Sequence, residues 1–213
     1  MTISRQWLES SDVIPVFPTL IWQLQLSPDA LTAVNAQLLQ TLSALRSDSG
    51  QAGHSSSWQS RGDLHQCEAF SELVAYIQDT SQIVLRFLKI PNDAMEITGC
   101  WANINPPGAA HRCHSHPNNF ISGVYYLQTP AGGDTINFHD PRVQTGIIRP
   151  PVTELTAENT DQVVIKVGSG TLLMFPSFLQ HSVDTNRGEG ERISVGFNLM
   201  FSSFTENLSK PLW

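Results

Sequence analysis

The sequence predicts an α+β fold in which helices back an antiparallel β-sandwich or barrel. Three observations carry this. Residues 27–46 and 68–90 repeat apolar side chains at helical spacing. After residue 94 the segments turn short, β-branched and aromatic, the composition of strands. "NPPG", "TPAGG" and "GSG" punctuate them, and these are turn formers. At 213 residues the chain suits one domain. Residues 1–94 form its helical and strand support region, and 95–203 its β-rich core.

In chain order, "VFPTLIWQLQL" (16–26) is apolar and reads as a strand. Ser27 is a candidate N-cap, with Pro28 at the first helical position and Leu31, Val34, Leu38, Leu42 and Leu45 forming an apolar stripe. "SDSGQAGHSSSWQSRGD" (47–63) is a Ser/Gly-rich loop, and 68–90 is a second amphipathic helix ending before Pro91. The expected strands are 95–105, 120–128, 134–139, 162–167, 171–175 and 191–201.

Composition removes several function classes. The net charge is -7 and no run of Lys or Arg occurs, so neither nucleic acid nor an anionic membrane is an expected partner. No apolar run reaches the roughly 18 residues needed to span a bilayer. "MTISRQWLESSDVIPVF" lacks the continuous apolar stretch of a signal peptide. Cys67, Cys100 and Cys113 are odd in number and form no CxxC pair, which suits a reducing cytoplasm.

The chemistry concentrates in "GAAHRCHSHPNNF". Three of the seven histidines fall within six positions, at His111, His114 and His116. They form either a polar His-rich loop or the first half of a metal site. In extended backbone, positions i and i+2 share a face, so His114 and His116 can meet one ion while Ser115 points away. Cys113 is turned away by the same parity. His181, after the apolar "GTLLMFPSFLQ", supplies a third imidazole from a distant segment. Three such ligands leave coordination positions open for a substrate.

Arg192 and Ser194 follow on one strand face within "RISVGFNLMF". A buried guanidinium needs an anionic partner, and its planar fork suits a carboxylate. The alternative is an edge-strand arginine facing water. Taken together, the residues describe a metal plus a carboxylate co-substrate.

The blocks "PPGAAHRCHSHP", "SGVYYLQTPAGGDTINF", "GTLLMFPSFLQHSV" and "RIS" resemble the iron(II)/2-oxoglutarate-dependent oxygenases, in particular their prolyl-hydroxylase-like branch. More closely they resemble an uncharacterised 2OG-Fe(II) oxygenase family with "HxHP…SGVYYL…F.DPR…FPS.L.H.V" blocks. The likeness covers about residues 97–201. It implies a double-stranded β-helix (jelly-roll) with Fe(II) and 2-oxoglutarate as cofactors. His114 and His181 then match the first and distal metal ligands, Arg192 with Ser194 the anchor for the far carboxylate of 2-oxoglutarate, and His111 a residue lining its pocket.

At one position the chain departs from the superfamily. Where a carboxylate ligand is usual, this sequence has His116. The third ligand is therefore His116, a vacancy, or a carboxylate brought in from Asp134 or Asp140. For those aspartates the competing roles are turn formation and a cap before Pro141.

The implied reaction is hydroxylation of a small-molecule or peptidyl substrate with release of succinate and CO2. Candidate substrate residues are Trp58, Trp101, Asn103 and Asn119, with Ser60, Arg61, Asn105 and the 140–160 connection beside them. Two rivals remain at this stage: a cupin-type dioxygenase that needs no 2-oxoglutarate, and a non-catalytic metal-binding jelly-roll. Neither the prime substrate nor the oligomeric state is written in the sequence.

Overall fold

The structure is a computed structural model that describes residues 10–50, 56–91, 95–143 and 150–205. Its elements are β1 (Trp22–Gln25), α1 (Pro28–Asp48), β2 (Trp58–Gln59), α2 (Ser71–Phe87), β3 (Met95–Asn105), β4 (His111–His114), β5 (Ile121–Gln128), β6 (Thr135–His139), β7 (Gln162–Lys166), β8 (Thr171–Pro176), β9 (His181–Val183), β10 (Arg192–Phe201) and α3 (Ser202–Thr205). The strands form a six-stranded sheet, ordered β1-β8-β5-β10-β3-β2, and a four-stranded sheet, ordered β4-β9-β6-β7. Every pairing between these strands is antiparallel. The result is the double-stranded β-helix that the family resemblance implied.

Strand alternation divides the larger sheet into two working faces. Cys100, Ala102 and Ile104 of β3, Tyr125 and Leu127 of β5, and Ile193, Val195, Phe197 and Leu199 of β10 pack with Val34, Leu38 and Leu42 of α1 and Leu73, Ile77 and Val84 of α2. Their neighbours on the opposite face turn toward the smaller sheet. There Tyr126, Leu173 and Phe175 pack with Ile136, Phe138 and Val183. Asn35 ties α1 to the sheet: its amide donates to the Leu127 carbonyl at 3.0 Å and accepts from the Tyr125 hydroxyl at 2.6 Å.

The first helix begins as expected, with Ser27 Oγ accepting from the Ala30 amide at 3.4 Å and Pro28 opening the first turn. Other boundaries differ from the sequence expectation. The strand expected over 16–26 shortens to β1, because Pro15 and Pro18 lack ladder donors and Phe17 adopts a φ of 56°. The second helix starts at Ser71, since two 3-10 turns, Leu64–Gln66 and Glu68–Phe70, absorb the preceding residues. Strands β2, β4 and β9 were not among the six expected. They span only two to four residues each, too short to show periodicity. Within the 140–160 connection, residues 144–149 lie outside the described residues.

Candidate metal and co-substrate site

The three imidazoles converge although their backbones do not share one strand. In the pairing of β4 with β9, His114 lies directly opposite His181. Cross-strand partners point to the same side of a sheet, so these two rings face each other. His116 lies two residues past the end of β4, where its amide donates to the Ser177 carbonyl at 2.9 Å. That bond holds the chain beside the end of β8. One nitrogen from each ring lies within 4.8 Å of the others. Ring centroids are 4.3 Å apart for His114 and His181, 5.1 Å for His114 and His116, and 5.2 Å for His116 and His181.

Hydrogen bonds select which nitrogens face the centre. His114 Nδ1 lies 2.7 Å from the Arg112 carbonyl, and His181 Nδ1 lies 3.1 Å from the Leu179 carbonyl. A carbonyl only accepts, so each Nδ1 carries the proton and each Nε2 keeps its lone pair. Metal-binding histidines are commonly oriented this way. Burial, with a smaller contribution from the His114 imidazole, lowers His116 to about 4. Burial also brings His181 down to about 4, against the opposing pull of its Leu179 bond. Both rings are neutral at pH 7 and available as ligands.

Behind this cluster Arg192 is 3% exposed at the start of β10, paired opposite Asn105. Its guanidinium carbon lies 5.3 Å from the centroid of the Tyr126 ring. Arg192 Nε and Nη1 are both buried and have no hydrogen-bond partner. An arginine left in that state is costly, and a carboxylate is the natural partner for its guanidinium. The buried Ser194 follows on the same face. His111 joins them: its Nε2 accepts from Asn105 Nδ2 at 2.7 Å, and burial, then Arg192 and His114, lower it to about 4. The edge-strand alternative for Arg192 is therefore excluded by its burial.

His111, His114, His116, His181, Arg192 and Ser194 line one cavity of about 450 Å³ between the two sheets. Trp101 and Asn103 line it too. Two other sequence expectations are corrected. Trp58 is a core residue, 6% exposed beneath the sheet, with its indole N–H donating to Ser49 Oγ at 3.1 Å. Alternation along β2 sends its neighbour Gln59 to the cavity instead. Asn119 is not on the wall; it accepts from Thr98 Oγ1 at 2.5 Å and donates to the Pro117 carbonyl at 3.0 Å.

Asp134 and Asp140 have other work. Asp134 accepts from the Gly132 amide at 3.2 Å and pairs with Lys166 at 3.4 Å. Asp140 caps the Arg142 amide at 2.9 Å and holds its guanidinium through both oxygens. No aspartate or glutamate among the described residues lines the cavity. Sequence reasoning also missed Gln59, Tyr126, Gly196 and Asn198 on the wall. Positions 196 and 198 were accessible by counting in twos from Arg192 and Ser194.

A jelly-roll with imidazoles converging in its mouth, and an unpaired arginine behind them, has the layout of an iron(II)/2-oxoglutarate oxygenase. Residues 99–198 match the family described as "Putative 2OG-Fe(II) oxygenase". The match spans just under half of the chain, and the chain is a 2-oxoglutarate-dependent non-haem iron oxygenase, with Fe(II) and 2-oxoglutarate as its cofactors. Solved structures agree on the fold. A prolyl-4-hydroxylase from Pseudomonas putida is 18% identical with a TM-score of 0.57, covering 85% of this chain and 93% of that one. A Trichoplax adhaerens prolyl hydroxylase, solved with a hypoxia-inducible-factor peptide, is 16% identical with a TM-score of 0.58, covering 89% and 87%. HygX from Streptomyces hygroscopicus, solved with nickel and 2-oxoglutarate, is 12% identical with a TM-score of 0.56, covering 86% and 83%. Among curated proteins no sequence match is found.

Proposed function

We propose that the chain hydroxylates a C–H bond of a small-molecule or peptidyl substrate. Dioxygen and 2-oxoglutarate are consumed, and hydroxylated product, succinate and CO2 are released. His114, His116 and His181 hold the metal as a three-histidine set, and Arg192 with Ser194 binds the far carboxylate of 2-oxoglutarate. His111, fixed by Asn105, lines the co-substrate pocket. When bound, the metal and its co-substrate supply the dioxygen chemistry.

The chain's own contribution is orientation and exclusion of water. The Arg112 and Leu179 carbonyls aim two imidazoles. Arg192 neutralises the carboxylate where water cannot, and Phe175, Ile136 and Val183 keep that end of the cavity apolar. Supporting a reducing cytoplasm, Cys67, Cys100 and Cys113 are all free thiols. Among the described residues no helix is long and apolar enough to cross a membrane. The helices share a core with the β-helix, which supports a single domain over residues 1–213.

The observation that carries the reading is the buried Arg192, which lines the same cavity as the imidazoles and whose Nε and Nη1 have no partner. The test is an anaerobic titration of Fe(II)-loaded protein with 2-oxoglutarate, followed by aerobic measurement of succinate. A metal-to-ligand charge-transfer band and slow succinate formation without prime substrate are expected. Metal binding with neither band nor succinate would instead leave a cupin-type enzyme or a non-catalytic module.

A further inference from the structure

The β3–β10 pairing arranges the cavity floor as a ribbon with two chemically different ends. Arg192, Ser194, Gly196 and Asn198 of β10 lie opposite Asn105, Asn103, Trp101 and Gly99 of β3. From Arg192 to Asn198 the ribbon runs roughly 20 Å at strand rise. The co-substrate takes the Arg192 end. The other end is what the prime substrate meets.

That end has an aromatic floor. A Cβ at Gly196 would lie 2.8–3.1 Å from the Cε2, Cζ2 and Nε1 atoms of Trp101, and one at Gly99 would lie 3.6 Å from its Cζ3. The missing side chain at Gly196 thus lets the indole lie against the sheet, while Gly99 meets it at ordinary contact distance. Its centroid is 5.5 Å from that of His116, so a group resting on it sits beside the metal cluster.

Around the indole are uncharged amides. Asn103 is 9% exposed and faces the cavity, and its carboxamide has no hydrogen-bond partner among the described residues. Gln59, paired opposite Asn103, also lines the wall with no such partner. Asn198 Oδ1 accepts from Ser122 at 2.7 Å, which leaves its amide nitrogen for a ligand. Each group presents donors or acceptors without charge.

The electrostatics narrow the choice further. Three imidazoles bring no negative charge to the metal. Fe(II) with dianionic 2-oxoglutarate is formally neutral, so the Arg192 cation remains in excess. With no carboxylate on the described wall, an ammonium group entering the cavity would be desolvated with no counter-ion. An uncharged ring bearing hydroxyl or acylamino groups meets no such penalty: its C–H face stacks on the indole and its polar rim meets the amides. The cavity, about 450 Å³, lies low in the usual range of about 300–1,000 Å³. Shared with a co-substrate, it has space for one ring.

We infer that the prime substrate is a small saturated ring that carries hydroxyl or acylamino groups and no cationic group, seated on Trp101 and held by Gln59, Asn103 and Asn198. The inference rests on the 2-oxoglutarate reading above. It is tested by ligand-detected NMR on Zn(II)-loaded protein with 2-oxoglutarate, where no turnover occurs. The probes are a methyl pyranoside, its 2-acetylamino analogue and its 2-amino analogue, at a pH where the amine is protonated. The first two should bind, and the amine at least about tenfold more weakly. Gly196→Ala, which lifts the indole, and Trp101→Ala should abolish binding, while Trp101→Phe retains it. Equal or tighter binding of the amine overturns the inference. So does binding of a capped proline-containing peptide with none of the sugars. Binding of 2-oxoglutarate, measured in the same samples, separates the two failures. Protein that binds 2-oxoglutarate but no neutral ring refutes this inference alone, whereas protein that binds no 2-oxoglutarate refutes the proposed function and this inference with it.

Discussion

Arg192 illustrates how a single residue can point to its ligand. Burying a guanidinium with Nε and Nη1 unsatisfied lowers stability, so its presence on an inner strand face supports the proposed carboxylate partner. Removing one partner of a buried charge pair costs about 2–5 kcal/mol. Arg192→Ala should therefore raise the 2-oxoglutarate dissociation constant at least about tenfold while metal stoichiometry holds. Arg187, exposed in the 184–190 turn, should tolerate the same change in the same titration. At the metal, the decisive comparison is His116→Ala against Asp134→Ala and Asp140→Ala. Metal loading measured after dialysis should fall for His116→Ala and stay unchanged for both aspartate variants, because those carboxylates are held by Lys166 and Arg142 away from the cavity wall. Full loading in His116→Ala would refute the three-histidine set.

Between elements, the close approach of β5 to β10 and β8 depends on a missing side chain. A methyl group at Gly123 would collide with the Phe197 ring and lie 2.7 Å from the Leu173 carbonyl. Overpacking of this kind costs about 1–3 kcal/mol. Gly123→Ala should lower the melting temperature, with loss of metal affinity only as a consequence of unfolding. Trp58 is the complementary case, since it fills the core where β2 joins β3. Trp58→Ala should cost about 3–5 kcal/mol by cavity formation. Its denaturation midpoint should drop while 2-oxoglutarate affinity, measured on the fraction still folded, is retained.

For the molecule as a whole, acid is the natural stress. His111, His116 and His181 sit at about 4, lowered by burial from 6.5. Between those values the unfolded chain binds protons that the folded chain refuses. Metal-free protein should accordingly be most stable above about pH 6.5 and lose stability as pH falls toward 4. Melting temperatures taken from pH 7.5 to pH 4.5 should show this slope. Replacing the three histidines together by glutamine should flatten it.

The division between sequence and tertiary structure follows from the range of the forces involved. Local pattern alone located α1, its Ser27 cap, most of α2, the long strands and the shared face of Arg192 and Ser194, since helical and strand periods are written in consecutive residues. The motif blocks also pointed to His114, His116 and His181, whose rings the fold brings together. Pairing between distant strands decided the rest. Parity would put His111 and His114, three residues apart, on opposite faces; the irregularity between them in the β4–β9 ladder brings both to the cavity. Trp58 faced the core and Gln59 the site because of the side of β2 that meets β3. Asp134 and Asp140 take the turn and cap roles that the sequence offered as alternatives, and only the fold shows that neither lines the cavity. Only when the two sheets close does the unpaired guanidinium face three imidazoles across one cavity, because burial and orientation belong to the packed chain.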